Sequence, residues 1–407
     1  MPRRRGPGPD AHSPGRGNGL SPAAGVALPR PSLVRIVSVV GTRPQLVKAA
    51  ALLPALRSRH EDLFVDTGQH WDEQLAGVFF RELGLPRPDR SLGVGGSSHA
   101  VQTAAMLAGL EPVLIAERPD AVLVYGDTNS TLAGALAAVK LGIPIAHVEA
   151  GLRSFDRKMP EEINRLVADR LSRWLFAPTP TAVANLAAEG LGDGVQLVGD
   201  LMQDLASRVS RDVRDSAVLA EIENALDWDG PSLAPGRFLF ATVHRAENRE
   251  PAALHAWAAL LSAASRKDRP VVLALHPGTR KALEKQGAQL DPSVHVVDPL
   301  GYRTSLTLQL HAAAVLTDSG GVQRESAWLG TPCLVLRGTT EWVEAVAESG
   351  GRMVIVGLDT AKALRELARL APADGAPDDA VRRATGLRLP ESGAAERIAG
   401  ALSEIPA

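Results

Sequence analysis

A single cysteine, Cys333, occurs among the 407 residues, which excludes an internal disulfide and any cysteine-rich zinc or iron–sulfur site. Its position in the apolar run PCLVLR reads as a buried strand thiol. There is no basic excess: 44 Lys and Arg stand against 46 Asp and Glu, a formal charge of -2, so the cationic surface that nucleic-acid binding needs is not expected. No uninterrupted apolar run approaches the ~20 residues of a membrane helix, and the Arg-, Gly- and Pro-rich residues 1–31 lack a hydrophobic signal core. These absences lead to the expectation of a cytoplasmic protein with a disordered arm at 1–32. No GxxxxGK[ST] loop occurs, and no His, Asp and Glu group has the spacing of a zinc hydrolase or deaminase, so neither a P-loop nor a catalytic metal is expected.

From Val34 onward, short β-branched runs alternate with longer segments of helical period. RIVSVV, LFVDT, AVLVYGD, PIAHVEA, WLFAPT and VQLVGD are separated by helices, among them ones expected to begin near Pro44, Thr103 and Thr131. Continuous apolar strands followed by amphipathic helices specify a parallel sheet covered on both faces. After a charged, weakly patterned stretch from Arg208 to Gly236, the rhythm restarts with RFLFATV, PVVLAL, VHVVD, AVLTD, PCLVLR and RMVIVG. The expected fold class is α/β, with two Rossmann-like doubly wound parallel-sheet domains and a cleft between them, the arrangement called GT-B. The expected boundaries are 33–207 and 237–390, with a linker region at 208–236. Residues 371–379 read as a loop, and a C-terminal helix within 391–407 is expected to pack back on the first domain.

Such sheets bind ligands where strands end and loops lead into helices, and the motifs fall at those junctions. GTRPQLVK places Arg43 and Lys48 around a helix start, an anion site unless both cations are merely solvated. GDTNST ends a strand in Asp127, an acid/base candidate whose alternative role is a helix cap. In HVEAGLR, His147 and Glu149 are two apart at the end of a buried strand and are expected to share a face. A buried carboxylate is either paired or used, and the structural partners considered for Glu149 are Arg153 and Arg165. Glu161, Glu162 and Arg165 lie on the first turn of a helix behind Pro160, where the helix dipole favours acids in any case. In the second half, His244 and Arg245 end RFLFATVHR, and DSGGVQRE opens a helix with Ser319, Gly320 and Gly321. Bare backbone N–H groups there suit a diphosphate, and Glu325 is placed to accept hydrogen bonds from a ribose. Gln69 and His70 in TGQH and His276 in ALHPG are ligand-contact candidates, with structural or surface roles as alternatives for the histidines. Acids on one lobe facing a phosphate cradle on the other point to chemistry on an anionic sugar nucleotide.

Taken in order, GTRPQLVK, TGQH, GDTNST, HVEAGLR, PEEINR, HRAEN and DSGGVQRE resemble the non-hydrolysing UDP-N-acetylglucosamine 2-epimerase family, from about Leu33 to about Gly357. The resemblance implies a GT-B fold, a homodimer, and interconversion of UDP-GlcNAc and UDP-ManNAc without metal or NAD. It implies acid/base roles for Asp127, Glu149, Glu161 and His244. It also implies nucleotide-sugar contacts for Arg43, Lys48, Arg165, Ser319, Gly320, Gly321 and Glu325. The sequence departs from the pattern at Gln45, which replaces a Glu, at Arg324 in place of the first Glu of a QEE triplet, in TTEWVE, which replaces TTERPE, and in HRAEN, which replaces an HRR pattern. These variants resemble a branch acting on UDP-2,3-diacetamido-glucuronate, which opens the C3 and C6 substituents. A GT-B glycosyltransferase, told apart by needing an acceptor, a hydrolysing epimerase, told apart by free sugar, and a non-catalytic sensor are the competing classes.

Overall fold

The computed structural model describes residues 33–69, 82–275, 277–340, 342–371 and 392–405. The expected arm at 1–32, His70, His276 and residues 372–379 of the expected loop lie outside the described residues. Thirteen named strands form two fully parallel sheets among the described residues. The first contains β1 (Arg35–Val40), β2 (Glu61–Asp66), β3 (Arg90–Ser91), β4 (Ala121–Tyr125), β5 (Ile145–Val148), β6 (Trp174–Ala177) and β7 (Val195–Leu197), in the order β3-β2-β1-β4-β5-β6-β7. The second contains β8 (Leu239–Val243), β9 (Val271–Leu275), β10 (Val294–Val297), β11 (Ala314–Thr317), β12 (Cys333–Val335) and β13 (Met353–Ile355), in the order β10-β9-β8-β11-β12-β13.

Both orders reverse direction once, between β1 and β4 and between β8 and β11. At a reversal the two crossover helices leave toward opposite faces, so the strand ends open a crevice that no helix fills. The loops after β1, β4, β8 and β11 are GTRPQ, GDTNST, VHRAEN and DSGG, the same segments that carry the chemistry. This is the GT-B plan expected from the alternating pattern. All twelve apolar runs appear as strands; the extra one, β3, is two exposed residues that no hydrophobic pattern marks.

Buried strands here are nearly continuous Val, Ile, Leu and Phe, because helices cover both faces. Ile36, Val40, Leu123 and Ala146 pack one way with the Arg43–Arg57 helix, and Val37, Val39, Val122 and Val124 pack the other way with the Asn129–Lys140 helix. Cys333 begins β12 fully buried, and burial pushes its thiol up to about 12. The Arg208–Gly236 stretch contributes the Val218–Ala225 helix, whose Leu219 and Ile222 join Leu233 in the second core. The C-terminal helix, Ala394–Leu402, lies against the first helix: Ile398 and Leu402 enter that core, and His60 Nε2 lies 2.8 Å from the Ala399 carbonyl.

The His99–Glu117 helix begins four residues before the expected start at Thr103, with Ser98 as its extended N-cap. By length and composition alone it is long and apolar enough to cross a membrane. In the fold, its Met106, Leu110 and Leu114 join Ala133 and Ala137 of the neighbouring helix in the first-lobe core.

Candidate active site

The site is assembled from the first-lobe switch point. Gly41 approaches so closely that a Cβ would stand 2.0 Å from Thr67 Oγ1 and 2.2 Å from Ser130 Oγ, which forces a glycine before the Arg43 helix. Gln45 ties the two loops: its Oε1 accepts from the Gly41 and Thr42 amides at 2.9 and 3.1 Å, and its Nε2 donates to the Tyr125 carbonyl at 2.7 Å and Thr131 Oγ1 at 3.0 Å. An amide can do both because it carries donors and an acceptor; a carboxylate in its place can only accept. One helical turn on, Lys48 is buried and pairs with Glu149.

Glu149 stands just past β5 at φ 73, a left-handed conformation that costs a non-glycine residue of order 1–3 kcal/mol. Strand alternation therefore stops at Val148, and the expectation that His147 and Glu149 share a face by that alternation does not carry over. Glu149 turns to Lys48 and to Arg324, whose Nη2 is 4.0 Å away, rather than pairing with Arg153 or Arg165. Burial raises its carboxyl, but Lys48 and Arg324 outweigh that and hold it below the usual carboxylate range. Gly126 permits this crowding, since a Cβ there would lie 3.3 Å from both Glu149 Oε2 and Lys48 Nζ.

Asp127, next along, does not cap its helix; Thr128 does. Its carboxylate instead accepts from Arg165 Nε at 3.0 Å and Nη2 at 2.6 Å and remains 31% exposed to the cleft. Glu162 is buried and clamps the preceding loop, accepting from the Ser154 amide and hydroxyl, the Phe155 amide and Arg165. The Glu161 side chain, half-buried, makes no hydrogen bond or ion pair among the described residues. The two adjacent acids thus separate into a structural one and an open one. Gln69 receives the Ser130 amide and hydroxyl on its Oε1 at 3.0 and 2.8 Å, which locks the β2 loop to the start of the next helix.

On the second lobe, Asp318 is wholly buried and organises the loop after β8. It accepts from the His244 and Arg245 amides and from Asn248 Nδ2, at 2.8–3.1 Å. That leaves the His244 ring 43% exposed at the strand end. Ser319 N-caps the Gly320–Leu329 helix; Gly320 is buried, whereas Gly321 is exposed and a Cβ there would meet nothing nearer than 3.9 Å, which leaves room beside this helix start. Glu325 is buried, hydrogen-bonded by Gln309 Nε2 at 2.7 Å, and burial pushes it up to about 7. Arg43 reaches from the first lobe, with Nη2 3.0 Å from the Leu300 carbonyl. The structure thus brings together Arg43, Lys48, Asp127, Glu149, Arg165, Arg324 and the Ser319 helix, with His244 and Arg245 beside Asp318. Asp200, which pairs with Arg324, escaped the reading from sequence. It ends the run VQLVGD and carries the same strand-end acid signal that marked Asp127.

Two facing Rossmann-like lobes, with carboxylates on one and an anion-receptive helix start on the other, define an α/β enzyme of the GT-B type. A family model described as UDP-N-acetylglucosamine 2-epimerase matches residues 55–403. A UDP-N-acetylglucosamine 2-epimerase homolog of Methanococcus maripaludis is 42% identical over 344 residues, 84% of this chain and 93% of its own length. The UDP-2,3-diacetamido-2,3-dideoxy-D-glucuronate 2-epimerase of Pseudomonas aeruginosa is 44% identical over 330 residues, 80% of this chain and 88% of its own length. The crystal structure of Methanocaldococcus jannaschii UDP-GlcNAc 2-epimerase in complex with UDP-GlcNAc and UDP superposes with a TM-score of 0.73 at 34% identity, covering 90% of this chain and 98% of that one. The chain belongs to the UDP-N-acetylglucosamine 2-epimerase family and is an isomerase.

Proposed function

We propose that the protein interconverts UDP-GlcNAc and UDP-ManNAc without hydrolysis. The C2 proton of such a sugar has no neighbouring carbonyl to stabilise a carbanion, so direct removal and return is prohibitive. Elimination avoids this: a base takes the C2 proton as the C1–O bond breaks, giving UDP and 2-acetamidoglucal. Re-addition of the UDP oxygen at C1, with protonation of C2 from the opposite face, yields the epimer. Asp127, Glu149 and Glu161 are the acid/base groups in this reading. His244, Arg43, Arg245 and the Ser319–Gly321 amides take the charge of the departing diphosphate. Lys48 and Arg165 hold two of the carboxylates in place, and Glu325 receives the ribose.

The observation that carries the reading is the Glu149–Arg324 approach, which sets acids of the first switch point against the anion-receptive helix of the second. The test is proton NMR with UDP-GlcNAc in D₂O, without metal or acceptor. UDP-ManNAc bearing deuterium at C2 is the expected product; free sugar or an acceptor requirement would overturn the proposal. The Pseudomonas aeruginosa relative supports a second reading in which C3 carries an acetamido group and C6 a carboxylate.

Glu325 supplies a pH prediction. Burial pushes its carboxyl up to about 7, and the ionised form is the stronger acceptor for the two ribose hydroxyls. UDP affinity should rise between pH 6 and 8 by calorimetry. The Glu325→Gln variant, which keeps only the titration of the ligand phosphate, should show a flatter profile; identical profiles would remove Glu325 from the ribose site.

A further inference from the structure

Asp200 is a carboxylate of the cleft to which the reaction above gives no part. It stands three residues past β7, where its Oδ1 accepts from the Met202 amide at 2.8 Å and so N-caps the Leu201–Asp212 helix. Its Oδ2 takes Nη1 of Arg324, which comes from the other lobe. The backbone around it is tied down as well: the Asp200 amide donates to Ser392 Oγ at 3.0 Å, and Arg397 Nε donates to the Val198 carbonyl at 2.9 Å. Arg324 therefore has little freedom. Its guanidinium lies 4.0 Å from the centre of the Trp342 ring and 5.3 Å from that of Trp328, and with Nη1 on Asp200 its Nη2 stands 4.0 Å from Glu149 Oε1.

The two oxygens of Glu149 are unequally supplied. Lys48 Nζ pairs with Oε2, whereas Oε1 accepts no hydrogen bond among the described residues and faces Arg324 only across that gap. A guanidinium beside a carboxylate ordinarily closes to a charge-assisted bond of about 2.8 Å. The open gap calls for an opposing pull, and Asp200 supplies it from the far side of the same guanidinium. A base needs an oxygen free for the C2 proton, and Oε1 is that oxygen. The two acids beside Arg324 are also driven apart. Burial raises the Asp200 carboxyl, with Arg324 opposing and Glu149 reinforcing, whereas at Glu149 burial is outweighed by Lys48 and Arg324 and the carboxyl is lowered. The firmer anion is the one with the open oxygen, as a base requires.

Resting on the 2-epimerase reading, we propose that Asp200 is a positioning residue: by holding Arg324 off Glu149 Oε1, it keeps that oxygen free to take the C2 proton as the C1–O bond breaks. Arg324 at this distance steadies the charge of Glu149 without covering the accepting atom. The test follows C2 deuterium incorporation by the full chain into UDP-GlcNAc and into its 2,3-diacetamido uronate counterpart. Asp200→Asn keeps the shape and is an equally good N-cap, so the fold should survive. Arg324 should then close on Glu149, lowering kcat by about tenfold with UDP affinity kept within about twofold. Arg324→Gln should cost little at pH 8, where Lys48 alone keeps Glu149 ionised, but should move the acid limb of the rate profile up by about one pH unit. The two changes together should regain, at pH 8, the roughly tenfold that Asp200→Asn loses, because nothing remains to cover Oε1. A double variant as slow as Asp200→Asn, or Asp200→Asn with an undiminished rate, would overturn the inference and leave Asp200 a helix cap. Should Asp200→Asn not fold, Asp200→Ser, another N-cap, carries the same comparison. Those outcomes leave the epimerase reading standing, whereas a wild type that exchanges neither sugar would overturn that reading and this inference with it.

Discussion

Replacing Glu149 by Gln should cut turnover by about 10²–10⁴-fold, the range that a positioned acid or base supplies, while UDP affinity stays within about tenfold. The shape hardly changes, and the surface proposed for the diphosphate lies on the other lobe, at the helix that Ser319 caps. What is lost is a carboxylate that Lys48 and Arg324 hold ionised in spite of its burial. Because its folded pKa is depressed, its contribution to stability is present above the unfolded value of about 4.3 and is lost as pH falls through the folded value. Removing it also leaves Lys48 buried without its partner, and breaking such a pair costs about 3–5 kcal/mol. Turnover and thermal unfolding should therefore both fall. Asp127→Asn provides the contrast: its Arg165 pair is partly solvated, so stability should move by less than about 1 kcal/mol while turnover is still lost. Undiminished deuterium exchange in either variant would remove that residue from the mechanism.

The positions of these acids were legible in sequence because a doubly wound sheet delivers strand ends to one crevice, and apolar runs ending in GD, VEA or TD mark those ends. The partners were not legible. Lys48 and Glu149 are 101 residues apart, and Arg324 and Asp200 are 124 apart. Only the folded crossovers set which cation meets which acid. Arg153 and Arg165 were the structural partners considered for Glu149, yet Arg153 pairs with Asp169 and Glu189, and Arg165 with Asp127 and Glu162. The left-handed turn at Glu149 was likewise hidden, since nothing in HVEAGLR distinguishes the end of β5 from one more strand residue. Glu161 and Glu162 share the helix-start signal, and only the hydrogen bonds to Ser154 and Phe155 show which is committed to the loop.

A structural effect as large as that of Glu149→Gln is expected from Asp169→Asn, which should lower stability by about 3–5 kcal/mol in urea unfolding although Asp169 is not one of the cleft acids. Asp169 is fully buried; it accepts from Arg153 Nη1 at 2.7 Å and the Gly151 amide at 3.1 Å, and lies 2.6 Å from His147 Nδ1. The other ring nitrogen of His147 is 2.7 Å from the Gly126 carbonyl. Facing a carboxylate and a carbonyl, both nitrogens must donate, so the ring is a buried cation. Burial lowers its pKa, but Asp169 more than offsets that, and the net direction is upward. Its stabilisation is therefore complete below about 6.5 and is lost as pH rises through the raised folded value. Asp169 behaves in the opposite sense: Asp169 is depressed, with His147 and Arg153 outweighing its burial, so its share is present above about 3.9 and lost as pH falls through the folded value. Wild-type stability should peak between those limits, and Asp169→Asn should flatten both limbs. The Gly126 carbonyl adjoins Asp127, so the variant should also lower kcat more than it raises KM, with a loss that grows on the alkaline side. Unfolding curves that superimpose on wild type across pH 5–9 would mean that this buried triad does not support the catalytic loop, and that Gly126 is held by the strand alone.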